Sequence, residues 1–70
     1  MFQITLKAAR VNVGKTQAQV AADIEVSLAT LKNWESGRSF PKQPDIEKLC
    51  KYYGLAYDNL LFLPKKLAKS

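Results

Sequence analysis

Apolar residues recur with helical spacing along most of the chain, and short polar breaks divide them into five segments. A helix has about 3.6 residues per turn, so every third or fourth residue shares a face. The first segment predicts a helix from about Ile4 to Val13. Leu6, Ala9 and Val13 would point inward, and Gly14 would end the helix.

The next two segments predict a pair of short helices joined by a tight turn. Thr16 and Gln19 have the Thr-x-x-Gln form of a capping box, which begins a helix of about two turns. The apolar face of this helix consists of Val20, Ala21 and Ile24. Because the side chain of Ala21 is only a methyl group, a second helix can cross it closely.

The second helix of this pair is expected from Leu28 to Ser36, with Ser27 as its N-cap and Gly37 as a left-handed C-cap. At about 100° per residue, Leu31 and Trp34 fall on one side. The opposite side carries small, amide and cationic groups, namely Ala29, Lys32, Asn33 and Ser36, with Leu28 at its edge. The bulky residues therefore point into the protein and the polar face points outward.

Two further helices are predicted after a loop at residues 38–43. Pro44 suits the first turn of a fourth helix that reaches Tyr53 and stops at Gly54. A last short helix runs from about Tyr57 to Phe62 and is closed by Pro64. No segment predicts a strand, so the expected fold is all-α with five helices.

With these features the chain resembles the phage repressor and Cro-type helix-turn-helix proteins, over roughly residues 4 to 62. The resemblance is carried by Gln17 at the start of the second helix, Ala21 at the crossing, apolar Val20, Ile24, Val26, Leu31 and Trp34, the Trp34-Glu35-Ser36-Gly37 close of the third helix, and the ending Tyr57-Asp58-Asn59-Leu60-Leu61. It implies a compact lambda-repressor-like domain with the helix-turn-helix at helices 2 and 3.

The resemblance also has consequences for three residues. The family usually has glycine at the turn position of Glu25, where the backbone tends to be left-handed. A non-glycine residue in that conformation costs on the order of 1 kcal/mol. Arg10 and Glu35 are implied to form a largely buried ion pair between the first helix and the end of the third.

Length and charge narrow the function. Seventy residues suit one domain, expected at 1–64, followed by a basic tail at 65–70. The excess of 11 Lys and Arg over 6 Asp and Glu gives a net charge of +5, which favours a polyanionic partner such as double-stranded DNA. Charge alone is weak evidence, because many small basic proteins bind no nucleic acid.

The outward face of the third helix holds the candidate base contacts, which are Leu28, Ala29, Lys32 and Asn33. Lysine can donate to guanine and asparagine can pair with adenine, while the apolar pair can meet thymine methyl groups. Candidate phosphate contacts are Gln17, Thr30, Ser36, Arg38 and Lys42. The alternative is an ordinary solvated face.

Apolar residues near the end of the chain suggest an interface. Leu60 and Leu61 are expected to complete the core, while Tyr57, Phe62 and Leu63 would form a self-complementary patch. A twofold dimer through this patch, weak in free solution and formed on DNA, would place two recognition helices about 34 Å apart on a palindrome. Alternatively, these side chains fold back on their own domain.

Catalysis finds little support. The chain has no histidine, a single cysteine, Cys50, and no pairing of carboxylates suited to acid/base work or a metal. We expect no enzyme activity, no cofactor, no metal and no small-molecule ligand. No secretory signal or membrane span is visible, and the lone cysteine suits a reducing bacterial cytoplasm.

Together these features predict a sequence-specific transcriptional regulator, a Cro-like repressor of phage or prophage type. It would bind a palindromic operator as a dimer, with the helix at 28–36 in the major groove. The alternative is a protein-interaction adaptor or antirepressor that keeps the fold without specific DNA binding. Exposed Leu28 favours this alternative, whereas the basic charge and the amides of Gln17 and Asn33 oppose it.

Overall fold

The computed structural model describes residues 2–62. In chain order its elements are β1 (Ile4–Thr5), α1 (Leu6–Asn12), α2 (Gln17–Asp23), α3 (Leu28–Ser36), α4 (Gln43–Tyr53), a 3₁₀ turn (Tyr57–Asn59) and β2 (Leu60–Leu61). The two strands pair in parallel, with Ile4 opposite Leu60 and Thr5 opposite Leu61. The described fold therefore has four α-helices and a two-stranded sheet, so the expectation of five helices and no strand is wrong at both ends.

At the beginning of the chain, the helix starts two residues later than predicted. Thr5 is extended, with φ −74° and ψ 164°, and its Oγ1 accepts a hydrogen bond from the Ala8 N–H at 3.1 Å. This N-cap begins the helix at Leu6 and leaves Ile4 free to pair as a strand. Val13 is also misassigned: it is the C-cap and 42% exposed, because the helix ends before it could turn inward.

The predicted last helix is a single 3₁₀ turn followed by extended backbone. Leu60 has φ −95° and ψ 129°, and its pairing with β1 alternates the side chains across the strand. Leu60 is therefore buried, while Leu61 is 40% exposed and does not complete the core as expected. The Asn59 amide supports the junction by donating to the Phe2 carbonyl at 3.1 Å.

The predicted ends of the central helices are confirmed. Thr16 and Gln19 form both bonds of the capping box at the start of α2. Ser27 Oγ accepts from the Thr30 N–H at 3.0 Å at the start of α3. Gly37 ends α3 in the left-handed conformation, with φ 83°.

The core lies where α1, α2, α3 and α4 meet and includes the residues predicted to face inward on α3. Leu31 is completely buried and Trp34 is 6% exposed. Ala21 is also buried, and α2 packs on α3. The remaining buried apolar residues are Leu6, Ala9, Val20, Ile24, Leu49, Tyr53 and Leu60.

In the part of the chain that the structure describes, no helix has the length and apolar character needed to cross a bilayer.

The turn between α2 and α3 contains Glu25 with φ 62°, which confirms the left-handed backbone expected there. The Val26 N–H donates to the Ala21 carbonyl at 2.9 Å and closes the turn. From α4, the Lys48 ammonium donates to the Ile24 carbonyl at 3.1 Å. These bonds hold the turn in shape although its left-handed residue carries a Cβ atom.

Glu25→Gly should keep the fold and leave the free energy of unfolding unchanged or raise it by up to about 1 kcal/mol, because glycine removes the Cβ strain while adding freedom to the unfolded chain. Glu25→Ala is the matched control, because it removes the carboxylate but keeps the strain. Urea unfolding of the three proteins measures the difference. If Glu25→Gly is clearly less stable than Glu25→Ala, strain does not dominate at this turn.

Candidate DNA interface

Helix α3 carries the candidate base-contact face, and its rotation is set by its buried side. With Leu31 and Trp34 inside, Ala29 and Lys32 are exposed and Asn33 is half-buried. Leu28, at the first turn, is 41% exposed. All four candidate base contacts are thus at least partly accessible, and none is fully covered by the described chain.

The hydroxyl groups on α3 are already engaged within the helix. Ser27 Oγ donates to Thr30 Oγ1 at 2.8 Å, so Thr30 keeps its own hydroxyl proton for an outside acceptor. Ser36 Oγ donates to the Asn33 carbonyl at 3.2 Å. In this conformation Ser36 presents only lone pairs, and its hydroxyl must rotate before it can donate to a phosphate.

The loop after α3 places two candidate phosphate contacts on the surface. Its first turn is fixed by the Arg38 N–H, which donates to the Asn33 carbonyl at 2.9 Å. The side chains of Arg38 and Lys42 are exposed, with Phe40, 56% exposed, between them in the chain. Pro41 is buried and holds this loop against the domain.

A network of hydrogen bonds joins α1, α2 and α3 beside this face. Arg10 Nε donates to Glu35 Oε2 at 2.8 Å, and a terminal guanidinium nitrogen donates to Oε1 at 3.2 Å. Only 13% of the Arg10 side chain and 5% of the Glu35 side chain are exposed. The hydrogen bond to Glu35 raises the pKa of Arg10 above its ordinary value, so this cation is permanent.

The expected phosphate contact Gln17 also belongs to this network. Its Nε2 donates to Glu35 Oε1 at 2.9 Å, and the residue is half-buried. A carboxamide has two N–H groups, so one N–H and the carbonyl oxygen remain for an outside partner. Residue spacing does not predict the Gln17–Glu35 bond, because this bond depends on how α2 and α3 cross.

Tyr53 of α4 lies against the same network. Its side chain is 8% exposed, and its hydroxyl has no hydrogen-bond partner among the described residues. Burial, and then the nearby Glu35 carboxylate, raise the pKa of Tyr53 to about 12. The phenol therefore remains neutral at all ordinary pH values, as an unpaired polar group in the core.

A polar groove runs along the α1 side of α3. It has a volume of about 360 Å³ and is lined by Lys7, Arg10, Gln17, Lys32, Glu35 and Ser36. Lys7 is the one lining residue to which the sequence analysis assigned no part. Lys7 is three residues before Arg10 on α1, and residues three apart share a helix face. The predicted position of Arg10 beside α3 therefore also indicates that Lys7 lies near α3.

The candidate dimer patch belongs to the end of the described chain. The ring of Tyr57 stacks on the ring of Phe62, with centroids 5.9 Å apart. Tyr57 is 58% exposed and Phe62 is half-buried. Leu63, the third predicted member of this patch, lies outside the described residues.

Metal-binding and thiol chemistry have few candidates here. Among residues 2–62, no group of three or more His, Cys, Asp or Glu side chains is placed to hold a metal ion. Cys50 is half-buried on α4, and burial raises the pKa of its thiol.

Comparison with known proteins settles the family. The model of the helix-turn-helix domain matches residues 4–61, which include all the helices described above. The chain belongs to the helix-turn-helix domain family. The matched residues include α2, the turn at Glu25 and α3.

Two curated relatives of this helix-turn-helix chain are transcription regulators by name. It is 30% identical over 60 residues to the HTH-type transcriptional activator BcrR of Enterococcus faecalis. The aligned region covers 86% of this chain and 29% of that protein. The chain is also 35% identical over 48 residues to the cryptic phage CTXphi transcriptional repressor RstR of Vibrio cholerae. That aligned region covers 69% of this chain and 43% of that protein. The chain thus spans less than half of either relative. No solved structure matches it significantly.

Arg10→Met should lower the free energy of unfolding by about 3 kcal/mol, because it leaves the buried Glu35 carboxylate without its cation. Lys32→Ala, on the exposed side of α3, should change stability by less than about 0.5 kcal/mol. Urea unfolding compares the two variants, and Arg10→Met combined with Glu35→Gln should recover part of the loss. Equal stability of the two single variants would contradict the structural role of the pair.

Tyr53→Phe should leave the stability at neutral pH unchanged or raise it, because it removes a buried hydroxyl without a partner. The unfolded phenol ionises near its ordinary pKa of about 10, whereas the folded phenol has a pKa of about 12, so a pH between these values favours the unfolded state. The wild type should therefore lose stability relative to Tyr53→Phe across that range. Parallel stability curves in alkaline urea titrations would show that this phenol does not titrate with unfolding.

Proposed function

We propose that this domain binds specific double-stranded DNA sequences as part of a transcription regulator, with α3 in the major groove. The observation that carries the proposal is the division of α3 into two sides. Leu31 and Trp34 are buried, while Ala29 and Asn33 lie on an accessible face beside the polar groove. An α-helix with such a face fits the width of the major groove.

Base reading is assigned to this face. The Asn33 side-chain amide has no hydrogen-bond partner among residues 2–62, so both its donor and its acceptor are available for the adenine edge. Leu28 and Ala29 supply apolar surface for thymine methyl groups. Lys32 lies nearer to α1, at the border between this face and the polar groove.

Backbone contacts would come from the two ends of the motif. Gln17 has one unused N–H at the start of α2, and Arg38 and Lys42 extend beyond the end of α3. Thr30 and Ser36 add hydroxyl groups on α3. Such contacts fix the position of a protein on the duplex and add affinity without choosing a sequence.

A Cro-like repressor that binds a palindromic operator as a dimer is the finer form of this proposal. The exposed, stacked Tyr57 and Phe62 support a self-complementary patch, to which Leu63 would belong. Occupying an operator would then block transcription. The names of the two relatives include both an activator and a repressor, so they support regulation of transcription more than its direction.

An adaptor or antirepressor remains the second candidate, favoured by the exposure of Leu28 and Phe40. Two apolar side chains at more than 40% exposure can also bind a protein surface. An adaptor would show no preference among duplexes.

The test is selection of bound duplexes from a random pool, followed by fluorescence titration of a selected and a scrambled duplex at two salt concentrations. We expect steep salt dependence and a clear preference for the selected duplex. Asn33→Ala should reduce that preference by roughly tenfold, since one good base contact contributes about 1–3 kcal/mol of discrimination.

Asn12→Ala is the matched control, because Asn12 is an exposed asparagine at the end of α1. It should leave the preference unchanged. The proposed function is wrong if the wild-type protein retains no selected sequence. The assignment of Asn33 alone is wrong if both variants behave as the wild type does.

A further inference from the structure

We infer that Lys7 of α1 and Lys32 of α3 together hold one phosphate of the DNA backbone in the polar groove between them. The inference rests on the proposed function and deepens it. It also changes the role expected for Lys32, from reading a base to positioning the backbone, and it adds a contact from a helix outside the helix-turn-helix motif.

The groove has the size and lining that an oxyanion needs. Its volume of about 360 Å³ is ample for a phosphate group, and three helices contribute to it: Lys7 from α1, Gln17 from α2, and Lys32 and Ser36 from α3. Gln17 still has one N–H that is not donated to Glu35. The groups that remain available here are therefore mainly hydrogen-bond donors, which suit phosphate oxygens.

The charge of the groove has the sign that attracts an anion. Its floor holds Arg10 and Glu35, whose charges neutralise each other in the ion pair. That pair is the sole ion pair recorded within residues 2–62, so neither Lys7 nor Lys32 has a carboxylate partner there. Lys7 and Lys32 thus line one polar groove, and neither has an ion-pair partner in the described chain.

Lys32 lies at the border between the base-reading face and the polar groove, and it lines the groove. Successive residues are about 100° apart around a helix, so Lys32 and Asn33 point in clearly different directions. Lys32 lies on the side of Glu35, which is bound to α1, and it lines the groove with Lys7. Asn33 does not line that groove. Lys32 therefore points toward the flank of α3, where a backbone strand would run.

Salt titration of the wild type, Lys7→Gln and Lys32→Gln on the selected and the scrambled duplex tests the inference. Each phosphate contact releases about 0.9 counterion. Each variant should therefore weaken binding by roughly fivefold near 0.15 M salt. The slope of the logarithm of the binding constant against the logarithm of the salt concentration should become shallower by up to about 1. The loss should be equal on both duplexes, which leaves their ratio unchanged. Both lysines are exposed, and urea unfolding checks that the variants are folded.

Lys51→Gln is the matched control, since it removes one exposed lysine from α4 that does not line this groove. It should change binding much less than the other two variants. If it weakens binding equally, the effect is one of net charge and the inference is wrong. If Lys32→Gln lowers the ratio between the duplexes, Lys32 reads a base and the inference is wrong, while the proposed function still holds.

A scan of single methylphosphonate substitutions along the selected duplex tests whether the phosphate is shared. Replacing the contacted phosphate with its neutral analogue should abolish the effect of both lysine substitutions at one and the same position. Two different positions would show that the lysines do not share a phosphate and would overturn the inference. A wild-type protein without preference for any duplex would instead overturn the proposed function itself.

Discussion

The burial of Leu31 and Trp34 is the constraint on which the rest of the structure depends. These two side chains fix the rotation of α3 about its own axis, because they lie on one side of the helix and are packed into the core. Once that rotation is fixed, Ala29 and Asn33 can only lie on the accessible side. The composition of the proposed DNA-reading face thus follows from a packing requirement on the opposite side of the same helix.

The network around Glu35 adds a second constraint, on the tilt of α3 relative to its neighbours. The carboxylate binds Arg10 of α1 and Gln17 of α2 at the same time, so the end of α3 is tied to both helices. Such a buried pair contributes little net stability, but it restricts which arrangements satisfy the charges. In the proposed complex, the same network would place the remaining Gln17 donor and the two groove lysines against one strand of the backbone.

The sequence predicts the centre of this domain well and its ends poorly. Capping residues such as Thr16, Ser27 and Gly37 act locally, so their roles can be read from spacing alone. The strand pairing of Ile4 with Leu60 joins residues far apart in the chain, and a short apolar run does not distinguish a strand from a helix. The polar groove cannot be predicted from the sequence for the same reason, because it forms only where three helices meet.

The most direct test of the central claim is an NMR measurement of contacts between isotope-labelled protein and the selected duplex. We expect nuclear Overhauser effects from the Ala29 methyl group and the Asn33 side-chain amide to base protons in the major groove. Leu31 and Trp34 should show contacts within the protein alone. Contacts from the Trp34 indole to DNA, or contacts from α4 without any from α3, would contradict this claim.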